Sequence, residues 1–208
     1  MLTIETITTF FAASVLLGIA PGPDNIFVLT QSAVHGRKAG LSITLGLCSG
    51  LIVHTTAVAL GVAVIIHTSV LAFSILKYVG AAYLLYLAWG AFRASAAKLP
   101  EDGGTELSCK RLYLRGIIMN ITNPKVTIFF LAFLPQFTDP VRGPVSIQIM
   151  LLGGLFIVSG ILVFGSIALL AGTLGRWLAS SDQAQIILNR LAGAVFLGLA
   201  LMLATAQR

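Results

Sequence analysis

The chain has 208 residues, of which 57% are hydrophobic and only 10% charged, with a formal net charge of +6. Soluble domains usually carry about 25% charged residues, so a chain this poor in charge, with mean hydropathy +0.98, cannot coat a water-facing surface. The composition excludes a water-soluble domain, and basic residues gathered beside apolar runs imply a membrane rather than a nucleic-acid partner.

Lipid admits only helices or closed barrels across it. Residues 41–66 and 150–171 are continuously apolar and do not alternate, so the expectation is an all-α membrane protein. Six spans are read along the chain, each long enough for the ~20 apolar residues that crossing requires. The first covers residues 3–34 and is interrupted at Pro21, Gly22 and Pro23. No cleavable signal peptide is expected there, because the stretch holds Glu5, lacks a basic start and runs on into further spans. The second span covers 39–66 and the third 71–92, with Tyr78, Tyr83, Tyr86 and Trp89 toward its later part. A polar loop follows to residue 112, holding Lys98, Glu101, Asp102 and Glu106. The fourth span covers 113–137 and breaks at Pro124; the fifth covers 145–171 and the sixth 184–206. The whole reads as one transmembrane domain, with a first unit at about 1–93, a cytoplasmic loop at about 94–112 and a second unit at about 113–208.

Orientation follows from the basic residues. Arg37, Lys38, Arg93, Lys98, Lys110, Arg111, Arg115, Arg176 and Arg190 flank one side, against Lys77, Arg142 and Arg208 on the other. The positive-inside rule puts the richer side in the cytoplasm and both termini outside. Three spans per half force the second half to enter from the opposite side, so the two units are inverted relative to each other.

The two breaks match. An offset of 101 residues places Pro23 on Pro124 and Asp24 on Lys125. Asp24 lies eleven residues before His35, and Lys125 ten after Arg115. At 1.5 Å per residue both sit ~15 Å deep, near the middle of a ~30 Å core. A lysine side chain of about 6 Å cannot snorkel out from there. Proline removes a backbone donor and clashes with the preceding turn, and the freed peptide groups need partners. A zwitterion suits such a place: half-helix N-termini receive a carboxylate, and free carbonyls at Ala20 and Thr122 receive an ammonium. Asn25, Asn120, Thr122 and Asn123 add neutral donors and acceptors, and Asp24 and Lys125 are expected to pair when the site is empty. The structural alternatives are that Asp24 caps the half-helix starting near Asn25 and that Lys125 is its fixed counter-ion.

Other polar positions carry less. His54, inside the second span, suits either a proton relay or a packed, hydrogen-bonded imidazole. Gly46 and Gly50 form a GxxxG that permits close helix approach. Tyr83 reads as packing or an interfacial belt, with a substrate-facing role as the alternative. Cys48 and Cys109 make no disulfide framework, and scattered His35, His54 and His67 make no metal site. No cofactor is expected.

At these residues the chain resembles the LysE/RhtB family of amino-acid exporters. The likeness runs through Pro21-Gly22-Pro23-Asp24, Gly36-Arg37-Lys38-Ala39-Gly40, Gly80-Ala81-Ala82-Tyr83-Leu84-Leu85-Tyr86-Leu87, Asn123-Pro124-Lys125, Pro135-Gln136-Phe137 and Asn189-Arg190-Leu191-Ala192-Gly193. It implies export of amino acids or close derivatives, driven by protons, across a bacterial inner membrane. Many relatives carry a basic residue late in the last span, where this chain has Met202.

The expected site residues are thus Asp24, Lys125, Asn25, Asn120, Asn123, Pro21, Gly22, Pro23, Pro124 and Tyr83, with His54 as a relay. The expected partners are a small-molecule substrate, protons and the bilayer, and small-residue faces leave room for a homodimer. An intramembrane enzyme using Asp24, His54 and Lys125 as acid–base groups is the alternative function, although no serine–histidine or metal-ligand spacing supports it. No GxxxxGK[ST] motif is present for nucleotide drive.

Overall fold

Proline and glycine decide where this chain stops being helical, and apolar content decides that everything between is buried in lipid or in neighbouring helices. The computed structural model describes residues 2–62, 70–96 and 107–206, and those residues contain helices and no strand. Span 1 is a bent pair, α1 (Ile4–Ile19) and α2 (Pro23–His35), meeting at 61°. Span 2 is α3 (Arg37–Ala57), which runs on into a π turn at Val58–Val62. Span 3 is α4 (Val70–Arg93). Span 4 is a second bent pair: α5 (Cys109–Ile121), then a segment Pro124–Phe137 that begins with α6 (Pro124–Ile128), the two bent by 50°. Spans 5 and 6 are α7 (Val145–Ser180) and α8 (Asp182–Thr205). Four single helices and two bent pairs are long and apolar enough to cross, which gives the six-span architecture.

Local chemistry sets the ends. Thr3, Ser108 and Ser181 cap α1, α5 and α8 by accepting from the amides of Thr6, Arg111 and Ala184. Gly36 turns the chain between α2 and α3 at φ +84°, where a side chain would be strained.

Three boundaries differ from expectation. α7 has 36 residues, about 54 Å of helix, so it overshoots a ~30 Å core; Trp177 and Arg176, both exposed, lie on the overshoot. Cys109 and the three residues after it are helical rather than loop. Span 4 does not finish as an α-helix but passes through a π turn at Phe129–Phe133 and a 3-10 turn at Leu134–Phe137. Pro135 explains this, because it has no N–H for the Leu131 carbonyl and its ring crowds that carbonyl. The expected end of span 2 at residue 66 and the Glu101–Glu106 segment lie outside the described residues.

Span 2 packs on spans 4 and 5, span 1 on spans 2 and 5, and span 3 on span 6. Exchanging the halves turns the contact of span 1 with span 5 into that of span 4 with span 2, as an inverted pair requires. The most extensive packing runs between halves, so the two units interlock. Span 2 meets span 4 through glycine: a Cβ on Gly46 would collide with the Tyr113 carbonyl, one on Gly116 with the Ile43 carbonyl, and one on Gly50 with Asn120. The GxxxG is therefore a packing device that brings the backbones together just below the second break. Large apolar side chains such as Leu45, Leu60, Ile118 and Leu151 point outward, which costs nothing in lipid.

Gly46→Leu and Gly116→Val are expected to push spans 2 and 4 apart at a cost of about 1–3 kcal/mol or more. The thermal midpoint in detergent should fall for both, whereas Gly154→Ala, where nothing lies within 4 Å of the new Cβ, should leave it unchanged.

Candidate functional site

Span 1 breaks because neither Pro21 nor Pro23 has an amide to offer the turn before it. Gly22 sits between them in extended conformation and caps α2 without a side chain. The carbonyls of the last turn of α1 are left without helical partners, and the protein fills them from within. Asn25 donates its Nδ2 back across the break to the Gly18 carbonyl at 2.7 Å. The Lys125 ammonium, from the other half, donates to the carbonyls of Leu17 at 3.3 Å and Ala20 at 3.1 Å. A cation at the C-terminal end of α1 also meets the negative end of its dipole.

The acid is placed by the opposite logic. Asp24 is in the first turn of α2, at the positive end of that helix, and is only 3% exposed. Its Oδ2 accepts from Asn123 Nδ2 at 2.8 Å. This bond joins the two breaks across the inverted halves, and both partners are buried.

The second break is closed by its own residues. The Thr122 hydroxyl donates to the Ile118 carbonyl at 2.8 Å. The Asn123 amide donates to the Asn120 carbonyl at 3.1 Å. Asn123 also caps α6, its Oδ1 accepting from the Lys125 amide at 3.0 Å, with Pro124 at the first helical position. His54 reaches the Asn120 carbonyl through Nε2 at 3.2 Å. A carbonyl only accepts, so Nε2 carries the proton.

Three expectations need correction. Asp24 does not cap α2: the cap is Gly22, and the carboxylate leaves its own helix for Asn123. Asp24 and Lys125 form no direct ion pair, because Asn123 and the α1 carbonyls are the nearer partners for each charge. The Ala20 carbonyl, expected to await a solute ammonium, is occupied by Lys125.

What is left open is specific. Asp24 Oδ1, Asn25 Oδ1 and Asn120 Oδ1 are buried and have no hydrogen-bond donor. All three are acceptors. A Cβ built on Gly22 would lie 3.2 Å from Lys125 Nζ and 3.8 Å from Asn25 Oδ1, so a cation and a free acceptor border the same glycine. Donor and acceptor side by side complement a molecule with one group of each kind.

The structure thus gathers Gly22, Asp24, Asn25, Asn123 and Lys125, with Pro21, Pro23 and Pro124 shaping the backbone around them. Asn120 and His54 join through the second break. Tyr83 is half-buried on α4 with its ring 6.1 Å from that of Tyr86, and no bond ties it to either break. Leu17 and Gly18 act only through backbone carbonyls, which leave no mark in residue type; the one clue to them is their place in the turn before Pro21.

Comparison with known proteins fits this arrangement. The chain matches the LysE type translocator family over residues 15–207, and it belongs to that family. It is 34% identical over 206 residues, 99% of each chain, to the homoserine/homoserine lactone efflux protein of Salmonella typhimurium. It is 33% identical to an uncharacterized membrane protein of Vibrio cholerae, over 95% of this chain and 96% of the relative. No solved structure matches it. The chain is therefore a multi-pass membrane transporter, and the reading of Asp24, His54 and Lys125 as the acid–base groups of an intramembrane enzyme is set aside.

Asn123→Ala removes the donor from a buried carboxylate and the cap from α6. A loss of about 1–3 kcal/mol is expected, read as a lower thermal midpoint in detergent. Asn25→Ala should lose a similar amount by orphaning the Gly18 carbonyl, and the two losses should add if the breaks are held independently.

Proposed function

We propose that this translocator exports amino acids or close derivatives, of the kind named for its homoserine-exporting relatives, from the cytoplasm of a bacterium in exchange for protons. The observation that carries the reading is a pair of buried acceptors without donors in the first turn of α2, Asn25 Oδ1 beside the Lys125 ammonium at Gly22 and Asp24 Oδ1. A solute ammonium supplies donors to those oxygens, and a solute carboxylate meets Lys125. Lys125 gives two of its three N–H donors to the α1 carbonyls and has the third for that carboxylate, so binding and the state of the first break are linked through one ammonium.

Asp24 is the proton-sensitive group in this scheme. As a carboxylate it accepts from Asn123 and holds the two breaks together. A proton on Oδ1 removes the charge that favours that bond and turns an acceptor for the solute into a donor. Proton and solute ammonium therefore compete for one oxygen, which is the requirement for exchange. His54, hydrogen-bonded to Asn120 and stacked at 5.5 Å on Phe130, fits a positioning role better than a relay. The basic ends of the spans, at Arg37, Lys38, Arg93, Lys110, Arg111, Arg176 and Arg190, face the cytoplasm of an inner membrane, with both termini outside.

Everted vesicles test this. Labelled homoserine should accumulate when the lumen is acid and leak away when an ionophore collapses the gradient. Asp24→Asn should abolish gradient-driven accumulation while leaving solute–solute exchange. Lys125→Ala should reduce both. Accumulation that survives the ionophore, or an Asp24→Asn variant that still concentrates solute, would overturn proton exchange at Asp24.

A further inference from the structure

Six phenylalanines lie between the break site and one face of the protein. Phe129 is one turn beyond Lys125, its amide donating to the Lys125 carbonyl. Its ring is 4.8 Å from Phe133 and 5.9 Å from Phe10 of α1. Phe133 and Phe10 each lie 5.1 Å from Phe137. Phe130 and Phe156 brace the stack, each 5.1 Å from the other and Phe156 also 5.1 Å from Phe129. Phe10, Phe129 and Phe130 are 0% exposed and Phe133 1%. Ring spacings of this kind are those of a close-packed aromatic cluster with no room for water.

Beyond the stack the chemistry changes at once. A cavity of about 430 Å³ opens on the face that carries the N-terminus and the 3-10 turn Pro140–Arg142. Its walls include Glu5, Thr9, Gln136, Phe137, Asp139 and Arg142. Phe137 belongs to both the stack and the cavity wall. Thr9 lines the cavity and its neighbour Phe10 is in the stack. On the far side, Phe10, Ser14 and Leu17 share one face of α1 and are each at most 1% exposed. Leu17 gives its carbonyl to Lys125. One buried column thus leads from the polar cavity, through the rings, to the broken helix.

We infer that the stack of Phe10, Phe129, Phe133 and Phe137 is a gate separating the break site from this polar vestibule, and that the vestibule is where a small zwitterion pauses on leaving. The vestibule offers the Glu5 carboxylate to an ammonium, and the Asp139–Arg142 pair, 3.0 Å apart and solvent-reachable, to either end of the solute. The gate has a built-in way to move. Phe129–Phe133 is a π turn, closed by the Leu134 amide on the Phe129 carbonyl. Rewinding it to an α turn changes the helix phase downstream by about 100° per residue removed, which swings Phe133 and Phe137 relative to Phe129. Only the direction of passage rests on the export reading; the gate itself does not.

Cysteine labelling tests the gate without any substrate. In a background with Cys48→Ser and Cys109→Ser, single Thr9→Cys and Ser14→Cys variants are exposed to a membrane-impermeant maleimide from the face that labels Thr9→Cys. Thr9→Cys should react freely. Ser14→Cys should be protected with the rings in place and should react at a rate approaching that of Thr9→Cys when Phe129→Ala is added. Phe137→Ala, at the half-buried rim, and Phe129→Leu serve where Phe129→Ala fails to insert. Ser14→Cys reacting as fast as Thr9→Cys with all four rings present, or staying protected after the stack is thinned, would overturn the gate. The face that labels Thr9→Cys is read separately and reports on the direction of export, so failure of the one reading is distinguishable from failure of the other.

Discussion

The constraint that organises this protein is that lipid offers no hydrogen bonds to a broken helix. Span 1 comes apart at Pro21 and Pro23 and frees the carbonyls of the last turn of α1, among them those of Leu17, Gly18 and Ala20. Leu17 and Ala20 are satisfied by an ammonium from the opposite half, and Gly18 by an asparagine from the next half-helix. The half-helix ends then sort the charges: Lys125 sits at the negative end of α1, Asp24 at the positive end of α2. A buried acid and a half-buried base are therefore held near one another without touching, each by the other half's backbone or amide.

That separation matters energetically. A direct buried ion pair gains its attraction only against a large desolvation cost, and breaking it is expensive. Here each charge has partners of its own, so either can change partner without stranding the other. Among the described residues the Asp24–Asn123 bond is the one side chain-to-side chain hydrogen bond between the two breaks, beside the Lys125 bonds to the α1 carbonyls. A protein that must alternate between two arrangements needs such a link to be breakable, and a carboxylate–amide bond is cheaper to break than a buried ion pair.

The interlocked packing bears on how the two halves can move. Spans 2 and 4 approach backbone to backbone at Gly46 and Gly116, and span 3 lies on span 6. A rigid rocking of one three-span unit against the other would tear apart the most extensive interfaces. Movement confined to span 1 and to the part of span 4 beyond Pro124, with α5 staying seated on span 2, keeps the Gly46–Gly116 approach and the span 3–span 6 packing intact. The non-α turns are concentrated in span 4, where Pro135 prevents an ordinary helix end, and that is the span carrying both Lys125 and the ring stack.

Much of this was legible in the residues. Continuous apolar runs dictated six helical spans, because no other backbone arrangement without alternation survives in lipid. Pro23 and Pro124 at matching places, each followed by an ionisable residue, dictated two breaks in matching spans, because proline's lost donor acts locally and needs no knowledge of neighbours. Three spans per half dictated inversion by counting alone. The partner of each charge was not legible. Sequence spacing suggested that Asp24 and Lys125 would pair, but which of several nearby groups wins depends on ångström-scale placement across the halves, and the winners are two backbone carbonyls and Asn123. Carbonyls belong to every residue and so leave no signature. The ring stack was equally hidden: Phe10 lies over a hundred residues from Phe129, and only the fold puts α1 beside the π turn that closes over Lys125.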